Sequence, residues 1–178
     1  MLHKMKELSE SESEASDKEF TVMIRAMIDP FITQVGRHPV LQECSARTEE
    51  TLLSVPTTHH TTHNVPVHVY TPAALTRSTG NAAYVYAHGG GGVASTAALA
   101  KPWLDYIAVN CGVVVFNVDY RLAPETKSPH NVLDFYECVK YIYNNAATLN
   151  IDPGIFILTH GTHITLYIPT SALFKLSY

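Results

Sequence analysis

Apolar positions recur along this chain with two different periods, and the change from one to the other divides it. Residues 1–15 are mostly polar, with Ser and Glu interleaved from Ser9 to Glu14, and predict a flexible solvated tail. Ser16-Asp17-Lys18-Glu19 then has the form of a capping box that opens a helix. Phe20, Met23, Ile24, Met27, Ile28 and Phe31 follow at helical spacing and predict one apolar face. Asp29-Pro30 predicts a kink or an end, because proline disfavours helix at the residue before it. Such a helix fits either an ordinary packing element or part of a lid over a hydrophobic site, and residues 16–50 read as a helical, lid-like segment.

From Thr51 the period shortens. Thr51 to Val55 predicts a strand, and the alternating Val65-Pro66-Val67-His68-Val69-Tyr70 predicts its hairpin partner, ending at Thr71-Pro72. Ala82 to Ala87 is a short apolar and aromatic run that stops at His88 and four glycines, Gly89 to Gly92, which predicts a buried strand ending in open backbone. Pro102 to Asn110 predicts a helix, with Gly112 as its stop. Val113 to Val118 is continuous and apolar, as a parallel strand covered on both faces requires. Ser128-Pro129 predicts the start of another helix, with Val132, Phe135, Tyr136, Val139, Ile142 and Tyr143 on its apolar face. Asp152-Pro153-Gly154 breaks that helix, and Ile155 to Leu158 begins a further strand. This βαβ rhythm predicts an α/β fold with a mostly parallel sheet and flanking helices.

Composition narrows the function classes. Hydrophobic residues make up 46% and charged residues 16%, and the net charge is −4, with no basic stripe. A nucleic-acid partner or an anionic membrane surface is therefore not expected. No apolar stretch approaches the roughly 20 residues of a transmembrane segment, and the N-terminal residues lack the apolar core of a secretory signal. Cys44, Cys111 and Cys138 are odd in number and widely spaced, which fits reduced thiols in a cytoplasmic protein. His59, His60 and His63 sit in a Thr-rich loop without acidic or Cys partners, and His160 and His163 form a lone HxxH. Neither group predicts a metal site, and no cofactor is expected.

The strand that ends in glycines carries the chemistry. Glycine adds no packing and costs backbone entropy, so four in a row suggest main-chain N–H groups that must face a ligand. His88-Gly89-Gly90-Gly91 resembles the HGGG signature of the hormone-sensitive-lipase-like α/β-hydrolases. That branch, the α/β-hydrolase fold-3 group, includes arylacetamide deacetylases and many carboxylesterases. Asp119-Tyr120-Arg121-Leu122-Ala123-Pro124-Glu125 resembles its second marker, at the usual distance. Pro129, Asp134, Asp152-Pro153 and Val67 to Pro72 also fit its pattern, so the similarity covers about residues 51–158.

The resemblance implies a carboxylic-ester hydrolase, with a small ester as substrate or ligand. By position, Gly90 and Gly91 would be the oxyanion-hole donors, supported by His88 and Gly89, while Asp119, Tyr120, Arg121 and Glu125 would be structural supports beside that loop. The family's serine belongs at a strand-to-helix elbow after Leu158, where the sequence reads Thr159-His160-Gly161-Thr162-His163-Ile164-Thr165. Thr162 stands at the nucleophile position, and no serine lies in a G-x-S-x-G context. The chain offers no candidate for the later acid and His of a triad. It thus reads as the N-terminal part of an α/β-hydrolase fold with the C-terminal half missing. Residues 51–165 would form the partial domain and 166–178 a tail foreign to the family. A sheet ending at its fifth strand would expose an apolar edge. The alternative is a non-catalytic fragment or ligand-binding relative, as in the plant gibberellin receptors, which resemble the family and bind a ligand without hydrolysing it.

Overall fold

The computed structural model describes residues 2–57, 63–75, 80–161 and 164–167. Within these, α1 (Leu2–Gly36) and α2 (Pro39–Ser45) precede β1 (Thr48–Thr57), β2 (His63–Pro72) and β3 (Asn81–Ala87). Then come α3 (Ala97–Cys111), β4 (Val114–Val118), α4 (His130–Asn144), β5 (Ile151–His160) and β6 (Ile164–Tyr167). The six strands form one sheet in the order β1-β2-β4-β3-β5-β6. Its centre is parallel: Ala83 pairs with Val114 on one side and with Phe156 on the other. The β1/β2 hairpin adds antiparallel strands at the β4 edge, with Val69 opposite Phe116.

Alternation along β3 separates the two faces. Ala83, Val85 and Ala87 point to one layer, where they join Phe116, Val118, Phe156 and Leu158 against Cys138, Val139 and Ile142 of α4. Tyr84 and Tyr86 point to the other, where Tyr70 and Val115 meet Ala100, Leu104 and Ala108 of α3. All five residues of β4 are buried, which is the sandwiched strand expected from its continuous apolar run.

Several local expectations need correction. The α1 backbone is helical from Leu2, where a solvated tail was expected, because Leu2 to Ala15 contains neither glycine nor proline and is rich in helix-favouring Lys, Glu, Met and Leu. Pro30 does not end it; the helix runs on to Gly36. Helix α3 starts one turn before Pro102. Thr96 serves as its N-cap, its hydroxyl accepting from Leu99 N at 3.4 Å, while Gly112 ends it in the left-handed region at φ 64°. No side-chain hydrogen bond caps the start of α4.

The expected apolar faces of α1 and α4 are also rotated. On α4, Val132 is 64% exposed, whereas Asp134, Cys138 and Ile142 form the buried stripe. On α1, Met27 is 67% exposed, and Phe20 and Met23 also face out, while Ile24, Arg25 and Ile28 turn inward.

The sheet does not stop at β5. Residues 164–167 return as β6 and pair antiparallel with it, Ile164 opposite His160 and Tyr167 opposite Ile157. The expected foreign tail at 166–178 therefore begins inside a strand of the sheet, and the β5 edge is paired. The remainder of that tail, 168–178, lies outside the described residues, as do Thr162, His163, His59 and His60. No helix among the described residues is long and apolar enough to cross a membrane.

Candidate active site

Strand β3 delivers His88 and the glycines to the C-terminal edge of the parallel strands, where open α/β sheets bind ligands. His88 is buried. Its ring stacks on Tyr120, with centroids 4.3 Å apart and an interplanar angle of 14°. Its Nδ1 lies 2.9 Å from Gly89 O, while Tyr120 Oη donates to His88 O at 2.5 Å. On the opposite side of the ring, Nε2 lies 4.0 Å from Asp119 Oδ1, and the same oxygen accepts from Ala97 N at the start of α3. His88 is thereby fixed between β4's C-terminal segment and α3.

Beyond it the backbone turns through a run of positive φ angles: 111° at Gly90, 65° at Gly91 and 75° at Gly92. At Gly90 an added Cβ would fall inside contact distance of Ala94 O, a backbone atom that cannot swing away. Val93 N and Ala94 N both donate to Gly90 O, closing the turn. The N–H groups of Gly90 and Gly91 have no protein acceptor among the described residues.

A cavity of about 230 Å³ opens against this loop. It is lined by His88, Gly89 and Gly90 on one side and by Ile32, Tyr86, Ala100 and Trp103 on the other, with Ser95 and Gly161 completing it. Gly91 is exposed and does not line the cavity. Burial pushes the Tyr86 pKa up to about 12, so the phenol stays neutral at ordinary pH. Tyr86 also packs edge-on against Trp103, with centroids 5.0 Å apart. Gly161, at the end of β5, donates to Ala87 O at 2.8 Å. A Cβ there would come within 2.5 Å of both Gly89 N and Tyr86 Oη, so only glycine lets β5 end this close to the loop.

The segment Asp119 to Glu125 lies alongside. Ala123 N donates to Gly92 O at 2.9 Å, tying it directly to the glycine loop. Arg121 reaches the other way. Its Nε and Nη2 donate to Asp134 at 2.8 and 2.7 Å, a two-pronged pair with a fully buried carboxylate, and Arg121 N adds a third bond at 3.1 Å. That grip turns Asp134 inward and fixes the phase of α4.

Glu125 finds its partner 100 residues away. Arg25 of α1 donates to both Glu125 oxygens, at 2.9 and 3.0 Å, and from Nε to Val93 O at 2.8 Å. The hydrogen bond to Arg25 holds the Glu125 carboxyl below its ordinary value of 4.5, and the same pairing raises Arg25. Arg25, Ile32, Trp103 and Ser95 are site residues that sequence reasoning missed. None lies in a motif, and the apolar spacing on α1 pointed away from Arg25. Thr162 lies outside the described residues, and these contain no cluster of three or more His, Cys, Asp or Glu fit for a metal.

A parallel-centred α/β sheet with a glycine-rich loop at the end of its central strand defines the class. Residues 84–159 match the family model described as the alpha/beta hydrolase fold, and the chain has that fold. It is 30% identical over 90 residues to an arylesterase of Saccharolobus solfataricus, covering 51% of this chain and 28% of that protein. Over 90 residues it is 37% identical to the arylacetamide deacetylase of Oryctolagus cuniculus, covering 49% and 22%. Among solved structures, a bacterial heroin esterase superposes with a TM-score of 0.67 at 29% identity, over 76% of this chain and 41% of that one. The matched stretch thus spans about a quarter of the length of these curated relatives.

Proposed function

We propose that this chain binds the carbonyl group of a small carboxylic ester in the glycine loop and holds it without turnover. The N–H of Gly90, which lines the cavity, acts as the oxyanion-hole donor while the expected second donor, Gly91, stays outside it; His88 and Gly89 hold the loop in shape, and α1 covers the site as a lid. Asp119, Tyr120, Arg121 and Glu125 support the loop from the adjoining segment. The observation that carries this reading is the cavity in which Gly89 and Gly90 face an apolar wall of Ile32, Ala100 and Trp103. A preorganised N–H donor of this kind needs no rearrangement to pair with a carbonyl oxygen.

Acyl transfer by the family's route would require a nucleophile after β5, and Thr162 occupies that position in the sequence. Threonine keeps the hydroxyl but brings an extra methyl into a tight turn, and no G-x-S-x-G serine replaces it. Esters are therefore ligands of this chain, while hydrolysis belongs to its serine-bearing relatives.

The test uses Trp103, the single tryptophan of the chain, as a reporter in the cavity wall. Titration with propyl acetate should change its fluorescence saturably, and Gly90→Ala should abolish the change. A short-chain chromogenic ester should be hydrolysed no faster than in buffer. Turnover above background that disappears in Thr162→Ala would overturn the non-catalytic reading and make the chain an esterase.

A further inference from the structure

Ser95 is the unexplained residue of this region. It is 5% exposed, and its side chain makes no hydrogen bond with any described residue. Its φ is 70°, in the left-handed region that residues with a Cβ rarely occupy. A glycine would relieve the backbone, yet the sequence keeps a side chain here, with a hydroxyl at the cavity wall. An outlier of this kind beside a site points to a role in the site, and a hydroxyl that lines the cavity without a partner among the described residues is available to a ligand.

The position of Ser95 says where that partner would lie. It lines the 230 Å³ cavity with Gly90 and Trp103. It also lines a neighbouring cavity of about 350 Å³ whose other walls include Arg25, Asp29, Thr96, Arg121, Glu125 and Thr126. Ser95 therefore stands where an apolar compartment meets a charged one. A carbonyl held at Gly90 with its acyl chain against Ala100 and Trp103 would present its alcohol portion to this boundary.

We propose that Ser95 is a ligand-selecting residue: its hydroxyl pairs with a hydroxyl on the alcohol portion of a short-chain ester, so the site prefers esters of hydroxylated alcohols to alkyl esters of the same shape. This rests on the ester-binding reading above. A site that presents a hydrogen-bonding group to its ligand favours the ligand that can pair with it over the isostere that cannot.

The experiment is a two-by-two comparison by Trp103 fluorescence, using 2-hydroxyethyl acetate and propyl acetate, which match in heavy-atom count. The unmodified protein should bind the hydroxylated ester about fivefold more tightly, the scale of one net hydrogen bond. Ser95→Ala, which retains the Cβ, should erase the difference. Ser95→Gly should erase it too while raising the Tm by about 2–4 °C, since it frees the strained backbone. A purely structural Ser95 gives the Tm rise with the ligand preference intact. Equal affinities in the unmodified protein, or a preference that survives both substitutions, would overturn the assignment and leave ester binding standing. No response to either ester would end both readings.

Discussion

Gly161 and Asp134 show how single side chains, or their absence, hold the site together. At Gly161 the end of β5 and the glycine loop approach so closely that a methyl would strike Gly89 N, so the loop has to move if one is added. Gly161→Ala should therefore weaken ester binding at least tenfold and lower the Tm, measured by Trp103 titration and thermal melting. At Asp134 the danger is an unpaired charge. Removing one partner from a buried ion pair leaves the other uncompensated, at about 3–5 kcal/mol. Asp134→Ala leaves the Arg121 guanidinium behind and should cost about that much in chemical denaturation. Arg121→Ala, which strands a fully buried carboxylate, should be at least as damaging.

Elements show the same physics at longer range. Apolar spacing assigned faces to α1 and α4, and in both the observed inward face also carries a paired charge: Arg25 with Glu125 and Val93 O, Asp134 with Arg121. Hydrophobic burial is non-directional and tolerates a rotation of a fraction of a turn, whereas a two-pronged pair fixes the angle. The Arg25 link also makes the seating of α1 on the glycine loop depend on pH. Glu125 has its carboxyl pKa lowered in the fold, so its contribution is fully present above the ordinary 4.5 and is lost as pH falls through the lowered value. The Tm difference between the unmodified protein and Glu125→Gln should accordingly vanish on acidification below pH 4.5 and persist at neutral pH. With Glu125 61% exposed, the difference should stay modest, under about 1 kcal/mol, and shrink in salt.

Across the whole molecule, burial is concentrated in β2, β3 and β4, with Phe156 and Leu158 added from β5. Phe116 and Phe156 are essentially fully buried on the α4 side, Tyr70 and Leu104 on the α3 side. Phe116→Ala should cost about 3–5 kcal/mol, as truncations in a filled core do. Native-state hydrogen exchange should find its slowest amides in β3 and β4, and much faster ones in α1, whose exposed Phe20, Met23 and Met27 show how little of it is packed. Uniform protection across α1 and β4 would contradict that gradient.

The local chain determined most of the elements. The period-2 runs at 51–55 and 65–70, the glycine-terminated run at 82–87 and the apolar run at 113–118 all became strands, and Gly112 ended its helix, because these depend on neighbours within a few residues. The markers around His88 and Asp119 lie inside the stretch that matches the alpha/beta hydrolase family model. Other outcomes depended on partners distant in sequence, which no local pattern records. Arg25 meets Glu125 across 100 residues, a pairing that the apolar spacing of α1 does not record. Ser95, Ile32 and Trp103 became cavity walls only when α1 and α3 folded over the loop. The pairing of 164–167 with β5 likewise required a neighbouring strand edge, and gave a sixth strand where a tail was expected. Backbone propensity and glycine chemistry are local and can be read from the chain; the angle of a helix and the lining of a cavity are set by long-range pairing.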